Sequence, residues 1–245
     1  MLRRLVVAAG IVAVAAGAAR AATHPFPRFA PGSGCVRADF RSGGQTIRAE
    51  RCGPASGRRA VIVLHGCGGF STFDHELAVD LPRFGLSTLY VDYFGPTPPP
   101  GTKGFCQGFA GPDPFPTWER VAADAARTLR ARFAAVGAVG WSLGAGVALA
   151  AAEDSHPFDA VAAFSPLAFP PELARAGELP PTIFLDGGTH DIVPPENARA
   201  WYTAARRAHV PAALYVYGDG THNWPGRQGA LGRARAAAFL LRYLR

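Results

Sequence analysis

The pentapeptide GWSLG, residues 140 to 144, puts a hydroxyl group where it could act as a nucleophile. Ser142 lies between Gly140 and Gly144 and follows the apolar run 134–139. The G-x-S-x-G pattern is typical of a sharp turn between a strand and a helix, which exposes the serine Oγ at the top of a sheet. Because the chain contains 29 glycines, the pattern alone is weak evidence, and its position between strand and helix must decide.

A serine nucleophile needs a general base, and the base needs an acid to orient it. Asp191, in the segment GGTHDIVP, and His222, in the segment GDGTHNWP, each follow a run that is predicted to be a strand. The order Ser, Asp, His, with one residue in each of three separate loops, is typical of a hydrolytic triad built on a parallel sheet. The sequence therefore predicts Ser142 as the nucleophile, Asp191 as the acid and His222 as the base.

Five other residues compete for these roles, and each has a structural interpretation. His190 precedes the predicted acid, so a base at this position would break the order of the triad. Asp186 ends a predicted strand and is either the acid or a residue that binds local backbone. Asp219 is better explained as a turn residue. His65 is either a base or a hydrogen-bonding residue before a tight turn, and Cys67 is either a second nucleophile or a structural cysteine.

An oxyanion that forms during acyl transfer is stabilised by converging N–H donors. The backbone N–H of Leu143 is one candidate, because it would lie at the start of the helix that follows Ser142. The segment HGCGG, residues 65 to 69, follows an apolar run, and its glycines allow the backbone to turn back over the site. We expect the backbone N–H of Cys67 to be the second donor.

Short apolar runs alternate with segments of helical periodicity along most of the chain. Such alternation predicts a parallel sheet with helices on both faces, in which functional residues lie at the carboxyl ends of the strands. Thr117 is placed to cap the second helix, and Pro82 should disturb the last turn of the first. The predicted strands are 58–66, 86–94, 134–142, 158–166, 181–188 and 212–220, and the predicted helices are 72–85, 117–133, 143–155, 195–210 and 229–244.

The segment 95–116 breaks this alternation, since it is long, rich in proline and without helical or strand periodicity. A loop of this length inside a compact domain usually has a function or is disordered. It leaves the carboxyl end of a predicted strand, so it is either a wall of a substrate pocket or a surface loop held down by Cys106.

The chain has 4 cysteines, and their spacing favours one disulfide pairing. The Gly-Gly pair at 43–44 lies between two alternating runs and predicts a hairpin turn. Cys35 and Cys52 would then flank the open end of the hairpin, at a distance that a disulfide can span. Cys67 and Cys106 are the remaining pair.

Residues 1–21 have the features of a secretory signal peptide: two early arginines, an apolar stretch and a small-x-small cleavage site. The stretch is short and weakly hydrophobic for a bilayer span, which favours cleavage after Ala21, with no stable membrane insertion afterwards. We therefore predict an exported protein, periplasmic or secreted, with a single domain at 22–245. The net charge is +7, but the arginines are scattered, which argues against nucleic-acid binding.

The segments HGCGG, GWSLG, GTHDIVP and YGDGTH, taken together and in this order, resemble the dienelactone hydrolase family of α/β-hydrolases over roughly 58–245. The resemblance implies the α/β-hydrolase fold: an eight-stranded, mostly parallel sheet with helices on both faces and no large cap domain. It also implies hydrolysis of small-molecule esters or lactones without a metal or an organic cofactor. The residues named above then occupy the triad and the oxyanion hole.

The family's namesake enzymes carry cysteine at the position that Ser142 occupies here. Serine is the weaker nucleophile and depends more on its histidine partner. We therefore expect a serine carboxylesterase rather than a hydrolase of true dienelactones. Two other interpretations stay open: a serine peptidase on the same fold, and an exported binding protein without catalytic activity.

Overall fold

The computed structural model describes residues 34–98, 105–106, 112–168 and 170–245. The predicted signal peptide at 1–21, the first residues of the predicted domain and much of the segment 95–116 lie outside these ranges. None of the helices in the described ranges is both long enough and apolar enough to cross a bilayer.

Within the described ranges the chain forms strands and helices in the predicted alternation. The strands are β1 Cys35–Arg37, β2 Phe40–Ser42, β3 Gln45–Ile47, β4 Ala49–Cys52, β5 Gly57–Leu64, β6 Ser87–Val91, β7 Phe133–Trp141, β8 Val161–Phe164, β9 Thr182–Asp186 and β10 Ala212–Val216. The helices are α1 Thr72–Asp80, α2 Phe115–Arg130, α3 Leu143–Ser155, α4 Pro170–Leu173, α5 Pro195–Arg207 and α6 Gly226–Tyr243.

Eight of the strands form one sheet, in the order β1-β4-β6-β5-β7-β8-β9-β10. From β6 to β10 every neighbouring pair is parallel, whereas β1 and β4 run antiparallel at one edge. The carboxyl ends of β5, β7, β8, β9 and β10 therefore lie at the same end of the sheet, where ligands bind in open α/β sheets. The eight-stranded, mostly parallel sheet of an α/β-hydrolase is confirmed.

Helices cover both faces of this sheet, as predicted, and the described part of the chain contains no cap domain. Along β5, Val61 and Val63 pack on the face covered by α1 and α6, whereas Ile62 and Leu64 pack on the face covered by α2, α3 and α5. This alternation follows from the period of two in a strand. Each fully buried side chain of this size contributes about 1.5–3 kcal/mol, so both layers hold the strand ends in place.

Helix α2 begins two residues earlier than predicted. The N–H of Phe115 donates to the side chain of Asp113 at 3.0 Å, and Pro114 precedes the first turn. The N–H of Thr117 donates to the carbonyl of Pro114 at 3.0 Å, which puts Thr117 inside that turn. The prediction that Thr117 caps the helix is therefore wrong, because a proline-rich start with an aspartate acceptor takes the place of a threonine cap.

The other elements lie close to their predicted bounds. Helix α1 ends at Asp80, and Leu81–Phe84 form a short 3-10 turn that contains Pro82. Helix α6 begins at Gly226, three residues before its predicted start. The short helix α4 was not predicted, since four residues carry too little periodicity to identify a helix.

The predicted hairpin and both predicted disulfides are present. The glycines at 43–44 have φ of 53° and 82°, and they connect β2 to β3. Outside this hairpin, β1 pairs with β4 so that Cys35 lies opposite Cys52, and the two form a disulfide. The second disulfide joins Cys67 to Cys106.

Candidate active site

Ser142 lies between the end of β7 and the start of α3. Its φ and ψ are 55° and −118°, a conformation that few residues other than glycine adopt. A Cβ at Gly140 would lie 2.3 Å from the carbonyl oxygen of Gly144, and a Cβ at Gly144 would lie 2.3 Å from that of Leu64. Any side chain at either position would clash, so the turn requires both glycines of the pattern.

The first turn of α3 begins at this serine. The carbonyl of Ser142 accepts the N–H groups of Ala145 and Gly146 at 3.0 and 3.2 Å. The N–H of Leu143 therefore belongs to the first turn of the helix, and negative charge is favoured at such a helix N-terminus. Ser142 itself is 5% exposed, which limits the access of water to this helix terminus.

The structure brings two of the predicted residues into direct contact. His222, in the loop after β10, has its Nδ1 2.6 Å from Oδ1 of Asp191, in the loop after β9. Both residues are buried. The contact uses Nδ1 of the imidazole, so Nε2 is the nitrogen that can exchange a proton with another group.

The loop after β9, which carries Asp191, is hydrogen-bonded to the loop after β10, which carries His222. The N–H and Oγ1 of Thr189 donate to the carbonyl of Gly218 at 2.8 and 3.0 Å. A parallel bridge joins His190 to Thr221. The acid and the histidine are therefore carried by paired backbone rather than by two independent loops.

Besides His222, three groups donate to the carboxylate of Asp191. Ser165 Oγ and the N–H of Gly187 reach Oδ2 at 2.6 and 3.1 Å, and the N–H of Val193 reaches Oδ1 at 2.9 Å. Burial alone would raise the pKa of Asp191, but the hydrogen bonds, first of all that of His222, outweigh burial and hold this pKa below its usual value. The surroundings keep Asp191 ionised.

Trp141 joins the loop of His222 to the strand that carries the serine. Its indole N–H donates to the carbonyl of His222 at 2.9 Å, and the centroids of the two rings are 5.0 Å apart. Because Trp141 immediately precedes Ser142, this bond fixes the backbone of His222 relative to the strand-to-helix turn.

The HGCGG segment forms the tight turn predicted from its glycines. The N–H of Gly69 donates to the carbonyl of Gly66 at 3.1 Å, which puts Cys67 within the turn. A Cβ at Gly66 would lie 2.8 Å from the ring of Trp141. The glycine thus allows the turn to pack directly against the residue before Ser142.

The described part of the long loop is attached to this same turn. Cys106 forms its disulfide with Cys67, and the N–H of Phe105 donates to the carbonyl of Cys67 at 2.7 Å. The ring of Phe105 packs on Phe94 and Trp118 at centroid distances of 4.8 and 4.9 Å. The loop is therefore held down at Cys106, as one of its two interpretations predicts.

His65 is buried among aromatic rings. Its ring stacks on Tyr93 at 4.2 Å and meets Phe70 and Phe94 edge-on at 4.7 and 4.5 Å. Its Nδ1 lies 3.0 Å from the carbonyl oxygen of Gly66. These contacts support the structural interpretation, in which His65 holds the turn in place.

Two of the remaining competitors, Asp186 and His190, have hydrogen-bond partners of their own. Asp186 Oδ1 accepts the N–H of Gly188 at 2.8 Å, while Oδ2 is buried without a hydrogen-bond partner among the described residues. Burial raises the pKa of Asp186 to about 6. His190 is exposed, and its Nδ1 donates to the carbonyl of Asp219 at 3.0 Å.

Three residues that support the site were not predicted from the sequence: Trp141, Ser165 and Trp224. Ser165 directly follows β8, so the rule that functional residues lie at the carboxyl ends of strands could have pointed to it. Neither tryptophan has a comparable signal, because their contacts are tertiary. Among the described residues, no group of three His, Cys, Asp or Glu side chains could hold a metal ion.

The model of the dienelactone hydrolase family matches residues 117–240, just over half of the chain. The chain belongs to this family. Membership of the dienelactone hydrolase family supports a carboxylic ester hydrolase activity, and the matched residues include Ser142, Asp191 and His222. Comparison with curated proteins gives no match.

Several solved structures are similar to this family member over most of its length. A dienelactone hydrolase from Anabaena variabilis is 19% identical, with a TM-score of 0.65, over 86% of this chain and 98% of its own. An esterase from Pyrococcus furiosus is 16% identical, with a TM-score of 0.70, over 86% and 93%. A dienelactone hydrolase-like promiscuous phosphotriesterase from metagenomic libraries is 18% identical, with a TM-score of 0.68, over 85% and 98%. At these identities the similarity establishes the fold.

Proposed function

We propose that this protein is a serine carboxylic ester hydrolase that acts on small-molecule esters or lactones through Ser142, His222 and Asp191. The observation that carries the proposal is the 2.6 Å contact between His222 Nδ1 and Asp191 Oδ1, at the end of the sheet where Ser142 occupies a strained strand-to-helix turn. A nucleophile, a base and an orienting acid are the groups that acyl transfer through serine requires.

In the first step, Ser142 Oγ attacks the carbonyl carbon of the ester, and its proton passes to Nε2 of His222. Asp191 keeps Nδ1 of His222 protonated and compensates the positive charge that forms on the imidazole. The lowered pKa of Asp191 suits this role, because the carboxylate then remains ionised at neutral pH.

The attack transfers negative charge to the carbonyl oxygen of the ester. We assign the stabilisation of this oxyanion to the backbone N–H groups of Leu143, in the first turn of α3, and of Cys67, in the turn that packs on Trp141. Removing one preorganised donor of this kind costs about 10²–10³ in rate. Amides on rigid elements suit the role, since they need no rearrangement during the reaction.

Collapse of the tetrahedral intermediate expels the alcohol, which takes the proton from His222 and leaves an acyl group on Ser142. A water molecule then attacks the acyl carbon, and His222 takes its proton and returns it to Ser142 Oγ. With a lactone the alcohol stays attached to the acyl group, so a single hydroxy acid leaves. None of these steps needs a metal ion or an organic cofactor.

The two disulfides support the export of the protein. Disulfides are rare in reducing compartments and common in periplasmic and secreted proteins. The bonds Cys35–Cys52 and Cys67–Cys106 agree with the signal peptide predicted at 1–21. We therefore propose that the mature enzyme works outside the cytoplasm.

The proposal is tested with p-nitrophenyl acetate and butyrate, with the release of p-nitrophenol followed by absorbance. We expect Ser142→Ala to lose about 10⁴-fold or more in kcat/KM. Ser155→Ala is the matched control, because Ser155 lies at the opposite end of α3, where its Oγ donates to the carbonyl of Ala151 at 3.2 Å. This control should keep the activity of the wild type.

Undiminished ester hydrolysis by Ser142→Ala would contradict the proposal. If the wild type hydrolyses a p-nitroanilide amide as fast as the esters, the result would favour the alternative function of a serine peptidase. If the wild type hydrolyses neither esters nor the amide, the result would favour the alternative function of a binding protein without catalytic activity.

A further inference from the structure

Ser165 occupies a position where glycine would be the less strained residue. It is the first residue after β8, it is completely buried, and its φ is 45°. Its N–H donates to the carbonyl of Leu185 at 2.7 Å, which extends the pairing of β8 with β9 by one residue. A residue other than glycine at positive φ carries a conformational penalty, which contacts of its side chain can offset.

The hydroxyl group of Ser165 makes two hydrogen bonds, one as donor and one as acceptor. Ser165 Oγ lies 2.6 Å from Oδ2 of Asp191, the carboxylate oxygen that is not bonded to His222. The indole Nε1 of Trp224 lies 3.1 Å from the same Oγ. An indole N–H can only donate, so Ser165 accepts from Trp224, and its single hydrogen is directed to Asp191.

Trp224 is itself held firmly. It is 1% exposed, its ring stacks on Phe73 at 5.7 Å, and it meets Phe164 and Tyr217 edge-on at 5.0 and 5.1 Å. A Cβ at Gly232 of α6 would lie 2.9 Å from this ring. Trp224 also follows His222 by two residues, so one loop carries both the histidine and the donor that fixes the serine hydroxyl.

We propose that Ser165 is a positioning residue of the triad: it holds Asp191 in the orientation that Asp191 presents to His222, and Trp224 fixes the direction of its hydroxyl group. This inference rests on the proposed function, because it assigns Asp191 and His222 to the same acyl transfer. Ser165 acts through Asp191 and needs no contact with the substrate.

The hydroxyl dipole also adjusts the charge that His222 experiences. The positive end of the Ser165 O–H points at the carboxylate and weakens its negative potential. Without this dipole, the carboxylate would stabilise the imidazolium form of His222 more strongly. The loss of Ser165 Oγ should therefore move the acid limb of the pH–rate profile to higher pH.

Other titratable groups lie on the elements around the bonded pair and remain in place when Ser165 is changed. Asp186, at the end of β9, interacts electrostatically with both Asp191 and His222. Glu196 of α5 interacts electrostatically with Asp186. His190 and Asp219 lie in the two loops, where His190 Nδ1 donates to the carbonyl of Asp219. Tyr217, after β10, interacts with Arg235 of α6. A displaced acid limb in the Ser165 variants thus reports the lost hydroxyl group.

The test compares wild type, Ser165→Ala, Ser165→Gly and Trp224→Phe in the full chain, by kcat, KM and the pH dependence of kcat/KM on p-nitrophenyl butyrate. Glycine suits the positive φ, so Ser165→Gly removes the hydroxyl without added backbone strain. We expect both Ser165 variants to lose about tenfold to hundredfold in kcat with little change in KM. We also expect their acid limb to rise by about half a pH unit or more.

Trp224→Phe keeps the serine but frees its hydroxyl group, and it should move the acid limb in the same direction by a smaller amount. The low-field proton resonance of His222 Nδ1–H should change its chemical shift in all three variants. A serine with only a packing role would leave both the acid limb and this resonance where they are in the wild type.

The variant His222→Ala distinguishes a failure of the proposed function from a failure of the role proposed for Ser165. If His222→Ala keeps esterase activity, the proposed function is wrong. If His222→Ala is inactive but folded Ser165→Gly and Trp224→Phe have the acid limb of the wild type, the proposed function stands and the role of Ser165 is wrong.

Discussion

Two buried carboxyl groups, those of Asp191 and Glu153, are held in opposite ways. In the loop after β9, the carboxylate of Asp191 accepts hydrogen bonds from His222, a serine hydroxyl and two backbone N–H groups, and its pKa is lowered. Near the C-terminal end of α3, Glu153 is 1% exposed, its Oε1 has no hydrogen-bond partner among the described residues, and burial raises its pKa to about 8. Burial alone favours the neutral acid, and converging donors are needed to hold a charge.

Asp186 lies between these extremes, although it is only five residues from Asp191. It is completely buried and accepts one N–H bond on Oδ1, and burial raises its pKa to about 6. All three side chains, those of Asp191, Asp186 and Glu153, are buried, and they differ mainly in the number of hydrogen bonds that they accept. Negative charge is thus held at neutral pH where the proposed acid–base chemistry needs it.

The largest expected effect comes from removing the charge at Asp191. Asp191→Asn should lower kcat/KM for ester hydrolysis by about 10⁴-fold, because a neutral amide neither fixes the tautomer of His222 nor balances the imidazolium. The measurement is kcat/KM on p-nitrophenyl butyrate, with folding checked by circular dichroism. If the Asp191→Asn variant is folded and fully active, the assignment of Asp191 as the acid of the triad is wrong.

Trp141→Phe should have a smaller effect than Asp191→Asn. It removes the N–H that bonds the carbonyl of His222, and we expect about a tenfold loss in kcat, since one hydrogen bond of this kind is worth about 1 kcal/mol or slightly more. Trp201→Phe is the matched control, because the buried indole of Trp201 donates to the carbonyl of Leu167 at 2.7 Å rather than to that of His222.

Both tryptophan variants should lose similar unfolding free energy in urea, but only Trp141→Phe should lose activity. Equal losses of activity in the two variants would mean that Trp141 contributes to general stability and does not position His222.

Asp186→Asn should have a small effect on activity. The asparagine Oδ1 can still accept the N–H of Gly188, so we expect kcat/KM to stay within about threefold of the wild type. This variant and Asp191→Asn form a matched pair of buried aspartates, one at the end of β9 and one in the loop that follows. If Asp186→Asn instead lost activity as strongly as Asp191→Asn, the two acids would not have the separate roles that their surroundings indicate.

Glu153→Gln should change stability and leave activity unaltered. In the unfolded chain Glu153 ionises near 4.5, whereas in the folded chain its pKa is about 8. The folded state therefore binds the extra proton, and this group lowers the unfolding free energy of the wild type by up to about 1.4 kcal/mol per pH unit across that window.

Glutamine carries no charge, so Glu153→Gln should gain stability relative to the wild type as the pH rises through this window, and the gain should level off above it. Urea unfolding on both sides of the window measures the difference. A constant difference between the two proteins would show that Glu153 does not stay neutral when the chain folds.

The residues of the candidate site could be predicted because each follows a strand. Ser142, Asp191 and His222 have side chains that can act in catalysis, and each lies in a short segment after an apolar run. A parallel sheet brings the ends of such runs together. The pairing of Cys35 with Cys52 could be predicted for a similar reason, since a Gly-Gly turn fixes the register of the hairpin around it.

The supporting contacts could not be predicted, because they join residues that are far apart in the sequence. Trp141 donates a hydrogen bond to a carbonyl in a loop 81 residues later, and Trp224 donates one to Ser165, 59 residues earlier. No local periodicity encodes such contacts. The start of α2 was also missed, because two prolines and an aspartate can begin a helix as well as the threonine that follows them.

The central claim is that Ser142 is activated by His222, and active-site labelling tests it without any assumption about the substrate. The mature protein is treated with a fluorophosphonate, and the adduct is located by intact mass and peptide mapping. We predict a single adduct on Ser142 in the wild type and none in His222→Ala. No adduct in the folded wild type, an adduct on another residue, or equal labelling of His222→Ala would contradict the account.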